Sequence, residues 1–197
     1  MKLTFLGTGT SMGVPVAGGF MREKLFHDPR NERTRCSVWV QSDKQSFLID
    51  VGPEYRIQSI RSDIKNIDFV LVTHEHMDHI GGLDELRMYN FKKKGAIPVY
   101  TTATAIESIR SRFDYMFGDN KYPGSTSLDL HEIKDVTEFE DVTITPLPVK
   151  HGSLGILGFR LNNTAYLTDV SHIPPSTVDL LEGCTTIILS ALRWEPE

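Results

Sequence analysis

The sequence predicts an α/β layered fold, and three observations carry the prediction. Short runs rich in Val, Ile and Leu recur along the chain, segments with helical apolar spacing separate them, and no fixed-period repeat is present. The chain has 197 residues, 40% of them hydrophobic and 24% charged. That is enough apolar material for one core, so residues 1–197 are expected to form a single domain and not a disordered or low-complexity chain.

Residues 2–6 read as a strand entering Gly7-Thr8-Gly9-Thr10, where glycine permits a tight turn. Residues 9–35 hold Gly13, Pro15, Gly18 and Gly19 before a charged run, and read as a long loop, a feature often tied to function. Residues 36–41 and 46–49 flank a polar Ser42-Asp43-Lys44 as a hairpin that ends at Asp50-Val51-Gly52-Pro53. From Pro53 onward Ile57, Ile60 and Ile64 recur at helical spacing. Residues 67–72 are an apolar run of the kind a buried strand shows, and a helix is expected over 80–93 through Leu83, Leu86 and Phe91. A strand at 97–100 precedes a helix whose face is Ile106, Ile109, Phe113 and Phe117; residues 118–127, with Pro123-Gly124, are loop. Strands follow at 128–133, 142–149, 156–161 and 164–167, the last two joined across Asn162-Asn163, then a short helix at 174–181 and a buried strand at 185–189.

Lys+Arg number 21 against 26 Asp+Glu, a formal charge of -5, which argues against a protein that works by neutralising many phosphates of a nucleic acid. Arg22, Lys24, Arg30, Arg33 and Arg35 fall in one stretch, but Glu23, Asp28 and Glu32 share it, so it reads as a mixed-charge solvated loop before a phosphate-steering one. Lys92-Lys93-Lys94 ends a helix, where its dipole favours cations. Cys36 and Cys184 stand far apart with no Cys-x-x-Cys spacing, so a disulfide framework is not expected and a reduced, cytoplasmic setting is. No window approaches the roughly 18 uninterrupted apolar residues of a membrane helix, and residues 1–6 are too short for the apolar region of a signal peptide. No membrane partner is expected.

The chemical signal is Thr73-His74-Glu75-His76-Met77-Asp78-His79, immediately after an apolar strand and before Gly81-Gly82. Histidine is scarce, 7 in the whole chain, so three within six positions is no sampling accident. Surface histidines at a turn are the bland alternative. Two imidazoles one residue apart, followed by an adjacent carboxylate and imidazole, are instead what a pair of neighbouring metal ions requires. His151 and Asp169 each follow a predicted strand and are further candidate ligands at the same rim.

These residues, with Phe47-Leu48-Ile49-Asp50-Val51-Gly52, His151-Gly152 and Tyr166-Leu167-Thr168-Asp169, resemble the metallo-β-lactamase superfamily along the whole chain. The segments Leu6-Gly7-Thr8-Gly9-Thr10-Ser11, Gly81-Gly82-Leu83-Asp84-Glu85-Leu86-Arg87 and Leu157-Gly158-Phe159-Arg160 are most similar to its phosphodiesterase branch, which includes cyclic ribosyl phosphate phosphodiesterases and has transfer-RNA 3′-processing nucleases as cousins.

The resemblance implies a four-layer αβ/βα sandwich with two divalent ions, Zn²⁺, Mn²⁺ or Fe²⁺, at one edge. Carried over, His74, His76 and His151 hold the first ion, Asp78 and His79 the second, and Asp169 bridges them. Asp78 also orients the attacking hydroxide as the catalytic carboxylate. The histidine that relatives supply near the C-terminus for the second ion has no match, so the C-terminal part is expected to be incomplete, the second site open, and the apolar Ile187 and Leu189 uncovered, favouring a homo-oligomer. His172 reads as rim or surface, and Arg87 as an outer-shell or substrate contact. Relatives carry a cysteine-rich zinc site after Gly13-Val14-Pro15; here Phe20, Leu25 and Phe26 are expected to order that loop.

Two divalent ions about 3.5–4 Å apart acidify a bridging water and clamp both oxygens of an in-line displacement. No serine or cysteine nucleophile is needed, and Cys184 reads as a packed thiol. A small cyclic or nucleotide-like phosphodiester is therefore the expected substrate. The alternatives are an RNA-processing nuclease, for which no basic gripping arm is visible between His79 and His151, a thioester, lactone or lactam hydrolase, and a shortened inactive metal-binding protein.

Overall fold

The computed structural model describes residues 1–19, 28–118 and 121–192. Two mixed sheets face one another, with helices outside. The first has the order β1-β2-β3-β4-β5-β6, formed by Lys2–Gly7, Ser37–Gln41, Ser46–Ile49, Phe69–Leu71, Ile97–Thr101 and Leu128–Glu132. The first three strands pair antiparallel and the rest parallel. The second has the order β11-β10-β9-β8-β7, from Thr186–Leu189, Thr164–Leu167, Leu154–Leu161, Val142–His151 and Thr137–Phe139.

The period-two alternation of strands explains the layers. Along β3 and β4, Phe47, Ile49, Phe69 and Leu71 point toward the second sheet and pack with Val142, Ile144, Phe159 and Leu161. Phe69 stacks between Phe47 at 4.4 Å and Phe139 of β7 at 4.6 Å, joining the two sheets. The alternate residues Leu48 and Val70 face outward, onto a cluster with Tyr55 of α1 (Tyr55–Arg61) and Ile109 of α4 (Ala103–Arg112). On the far side Leu147, Val149, Ala165 and Leu167 meet Ile173, Leu181 and Cys184 around α5 (Pro175–Leu180). Both cysteines are free thiols, and among the described residues no helix is long and apolar enough to cross a membrane.

Four elements differ from the sequence expectation. In α1 the buried positions are Tyr55 and Gln58, while Ile57 and Ile60 are 44% and 64% exposed. That side of the helix meets loop backbone, and Gln58 Nε2 donates to Thr34 Oγ1 and Arg35 O, so a donor is needed where a hydrophobe was expected. The helix expected over 80–93 is broken into α2 (Met77–Ile80), a 3-10 turn (Leu83–Leu86) and α3 (Arg87–Lys93). Leu83 and Leu86 are buried as expected, but α3 buries no side chain, and Phe91 is exposed. Strand β7 was not anticipated. β11 is an edge strand and not the buried one its apolar pattern suggests: it pairs with β10, and among the described residues nothing lies on its other side, so Ile187 and Leu189 are about half exposed, as the uncovered apolar edge expected there would have them.

The break after α2 matters for the site. Val51 N donates to His79 O, and Gly82 N donates to Val51 O. A Cβ at Gly82 would run into the Gly52 carbonyl, and one at Gly52 into the Asp78 carbonyl. Only glycine lets the two backbones approach so closely, and that approach fixes α2 against the end of β3.

The loop over 9–35 is tied down at both ends by bridges from Gly9 to Arg35 and from Val14 to Arg33. Arg30 pairs with Asp28, and Arg35 with Glu54, so these two cations are engaged within the protein. Arg22, Lys24, Phe20, Leu25 and Phe26 lie outside the described residues.

Candidate functional site

Because β3 and β4 run parallel, Asp50 and Thr73 leave the first sheet at the same edge. β8 and β10 both run antiparallel to β9, which brings His151 and Asp169 to one edge of the second sheet. Asp50 and Asp169 sit just past strand ends with φ of 62° and 54°. Non-glycine residues adopt this left-handed conformation at a cost, and Asp is among those that tolerate it; here it turns each carboxylate into the space between the sheets' edges.

His74 is fully buried, and its Nδ1 lies 2.9 Å from the Thr73 hydroxyl. That hydroxyl lies 3.1 and 2.9 Å from the two Asp50 oxygens and donates its single proton there. It therefore accepts from His74 Nδ1–H, which leaves His74 Nε2 with a lone pair. Nε2 is 3.0 Å from His76 Nδ1, and His151 completes a group whose ligand atoms all lie within 4.8 Å of one another. Burial, then the charge of His79, pushes His74 down to about 3, so it takes no second proton near neutrality. Imidazole nitrogens converging this closely call for a cation between them, and three of them make a normal set for a divalent transition metal.

The second group shares His74 and adds His79 and Asp169. His79 Nδ1 is 2.7 Å from Asp50 Oδ2, while its Nε2 is 2.7 Å from Asp169 Oδ2 and 3.3 Å from Asp78 Oδ2. Both ring nitrogens thus face carboxylates. Burial disfavours the charged ring, but the charge of Asp50 and the ring's own hydrogen bonds to Asp169, Asp50 and Asp78 outweigh it and hold His79 well above the ordinary histidine value. Burial raises Asp78, yet its hydrogen bond to His79 and that ring's charge bring it down to about 2; the same balance lowers Asp169. A nitrogen flanked by two carboxylates is a site for which a proton and a divalent cation compete. The donor chemistry of both groups therefore fits metal.

All six residues singled out from the sequence, His74, His76, Asp78, His79, His151 and Asp169, are brought together here. Asp169 faces both groups, with its Oδ2 also 3.8 Å from His74 Nε2. Among the described residues no further histidine joins the second group: His131 pairs with Asp129, and His172 is an exposed residue whose backbone bridges Lys150. Arg87 pairs with Asp84 at 2.9 Å, and no hydrogen bond links it to these six residues. Cys36 donates to Gly9 O, and burial pushes its thiol up, so it offers no thiolate.

Two contributors were missed. Asp50 was read only as part of a strand motif, although it is the fully buried partner of both Thr73 and His79; a carboxylate closing an apolar strand was the available signal. Ser171 had none. Its Oγ accepts from Gly152 N at 2.8 Å and donates to Lys150 O at 3.0 Å, gripping the backbone on both sides of His151.

Residues 45–197 match the beta-lactamase superfamily domain, and the chain belongs to that family. A Porphyromonas gingivalis (strain ATCC BAA-308 / W83) protein named octanoyltransferase is 38% identical over 200 residues, which cover 100% of this chain and 40% of that protein. Ribonuclease Z of Methanococcus maripaludis is 28% identical over 141 residues, covering 70% of this chain and 39% of its own. The chain thus spans about two fifths of the length of both these relatives. The crystal structure of a new diphosphatase from the PhnP family superimposes with a TM-score of 0.88 at 37% identity, over 99% of this chain and 76% of its own. The family resemblance and the two-sheet α/β fold read from the sequence are both borne out.

Proposed function

We propose that this chain is a metal-dependent hydrolase acting on phosphodiesters. The observation that carries the reading is the pair of abutting donor groups sharing His74, one built of imidazoles and one rich in carboxylates. Its likeness to a diphosphatase at 37% identity and to a ribonuclease supports phosphorus chemistry, while the 38% identical relative named octanoyltransferase keeps the carbonyl class as the reading to test against. His74, His76 and His151 would hold one divalent ion, and Asp78, His79 and Asp169 the other. Such a pair supplies an acidified water and charge neutralisation at the phosphoryl oxygens.

The chain's own residues do the rest. Asp50 holds His79 by Nδ1, so that Nε2 points at the two carboxylates. Asp78, held down to about 2 by its hydrogen bond to His79 and that ring's charge, would hold the second ion and accept a hydrogen bond from a water beside it. The Thr73 hydroxyl fixes the tautomer of His74.

Purified protein loaded with Zn²⁺ or Mn²⁺ should turn over bis(p-nitrophenyl) phosphate faster than p-nitrophenyl phosphate, a thioester or a lactam. Faster turnover of the thioester or lactam than of every diester tried would move the activity to the carbonyl class.

A further inference from the structure

Glu75 lies between His74 and His76, and its backbone carbonyl accepts a 3.0 Å hydrogen bond from Arg112 Nη1. Arg112 is the last residue of α4, 37 positions away in sequence. A cation in the last helical turn is ordinarily explained by the helix dipole, and its neighbour Arg110 is engaged over the Phe117 ring at 5.2 Å. Arg112 does something else. It reaches out of its helix to the loop that carries two candidate metal ligands, buried His74 and exposed His76.

A guanidinium offers five N–H donors in a rigid fork, and the Glu75 carbonyl takes one. No carboxylate pairs with Arg112 among the described residues, in contrast to Arg30, Arg35 and Arg87, each held by Asp28, Glu54 or Asp84. Adjacent Cα atoms are about 3.8 Å apart, so the Glu75 carbonyl that holds Arg112 belongs to the residue directly between His74 and His76, and the guanidinium is fixed on the loop that carries both. A fixed, unneutralised guanidinium beside an anionic substrate's reacting centre is the geometry that recognises phosphate oxygens.

We propose that Arg112 forms an anion subsite at the rim of the metal centre and takes the phosphate oxygens of a phosphorylated substrate. The inference rests on the phosphodiester reading for its substrate class. It also moves the substrate-facing cation from Arg87, which pairs with Asp84, to Arg112.

The test measures binding of inorganic phosphate to the Zn²⁺-loaded protein by calorimetry, with metal content determined on the same samples. Arg112→Gln keeps an N–H donor for the Glu75 carbonyl and removes the charge. It should bind phosphate about tenfold more weakly at unchanged metal content, as loss of a charge-assisted hydrogen bond implies. Arg112→Lys should recover part of the affinity. Equal affinity in wild type and Arg112→Gln, or no phosphate binding by the wild type, would overturn the subsite. So would loss of metal in step with loss of phosphate, since Arg112 would then only brace the loop. Wild type that binds phosphate through Arg112 but cleaves no diester would contradict the proposed function and leave the subsite standing.

Discussion

The imidazole group and the carboxylate group sit side by side and share His74, yet they are held by opposite means. His74 is kept neutral by burial and by a neutral hydroxyl, and His151 is gripped through exposed backbone hydrogen bonds from Ser171. His79 is clamped between buried or half-buried carboxylates, which favour its protonated ring. The difference teaches that one half of the site is ready for a cation near neutrality and the other must first release a proton. It also says where the stiffness lies. Charge and burial set the second group, whereas the first relies on a hairpin end fastened to a neighbouring loop.

The comparison can be broken most strongly at Asp169, which faces both groups. Asp169→Asn should cost the second ion more than the roughly 10–100-fold that loss of an outer-shell partner costs, while the imidazole group keeps its ion. Competitive titration with a metal indicator reads both affinities, and equal loss at the two positions would erase the distinction. Next, Asp50→Asn should weaken the second ion by about 10–100-fold without touching the first, since Asp50 contacts His79 directly and His74 only through Thr73. Cobalt absorption spectra distinguish the two environments; an unchanged second-site affinity would make Asp50 a purely structural carboxylate.

The proton gives a third test. His79 is raised above its ordinary value of about 6.5, so the protonated ring competes with metal across neutrality, and affinity should climb about tenfold per pH unit until pH passes that raised value. Calorimetry in two buffers of different ionisation enthalpy should show proton release on metal uptake at pH 7. Buffer-independent heats would show that His79 is already neutral. The smallest effect is expected at Ser171: Ser171→Ala removes two exposed neutral hydrogen bonds and should weaken the first ion by about fivefold, with the second unchanged. A thermal melt on the same variant separates this from general destabilisation.

The histidine motif was legible because its residues are adjacent in sequence and scarce elsewhere, and strand-end positions pointed to His151 and Asp169. What failed to show were contacts made across distance. Gln58 occupies a buried helix position because a loop carbonyl and the Thr34 hydroxyl lie opposite it, and periodicity rewards only apolar residues there. The helix over 80–93 is broken by the backbone of Val51 and Gly52, which no local propensity could reveal, although Gly81-Gly82 marked the place. Asp50 and Arg112 act on the motif from 23 to 37 residues away. The pattern of β11 is apolar like that of a core strand, and its exposure depends on what pairs with it, not on its own residues.

The central claim is that the chain holds two cations side by side, one on His74, His76 and His151 and the other on Asp78, His79 and Asp169. Metal titration of the intact chain, with ions per chain counted by elemental analysis after desalting, tests it most directly. Wild type should hold two ions, whereas His74→Ala and His151→Ala should each lose the first and keep the second. A single ion in the wild type, or two ions retained by His74→Ala, would contradict the account.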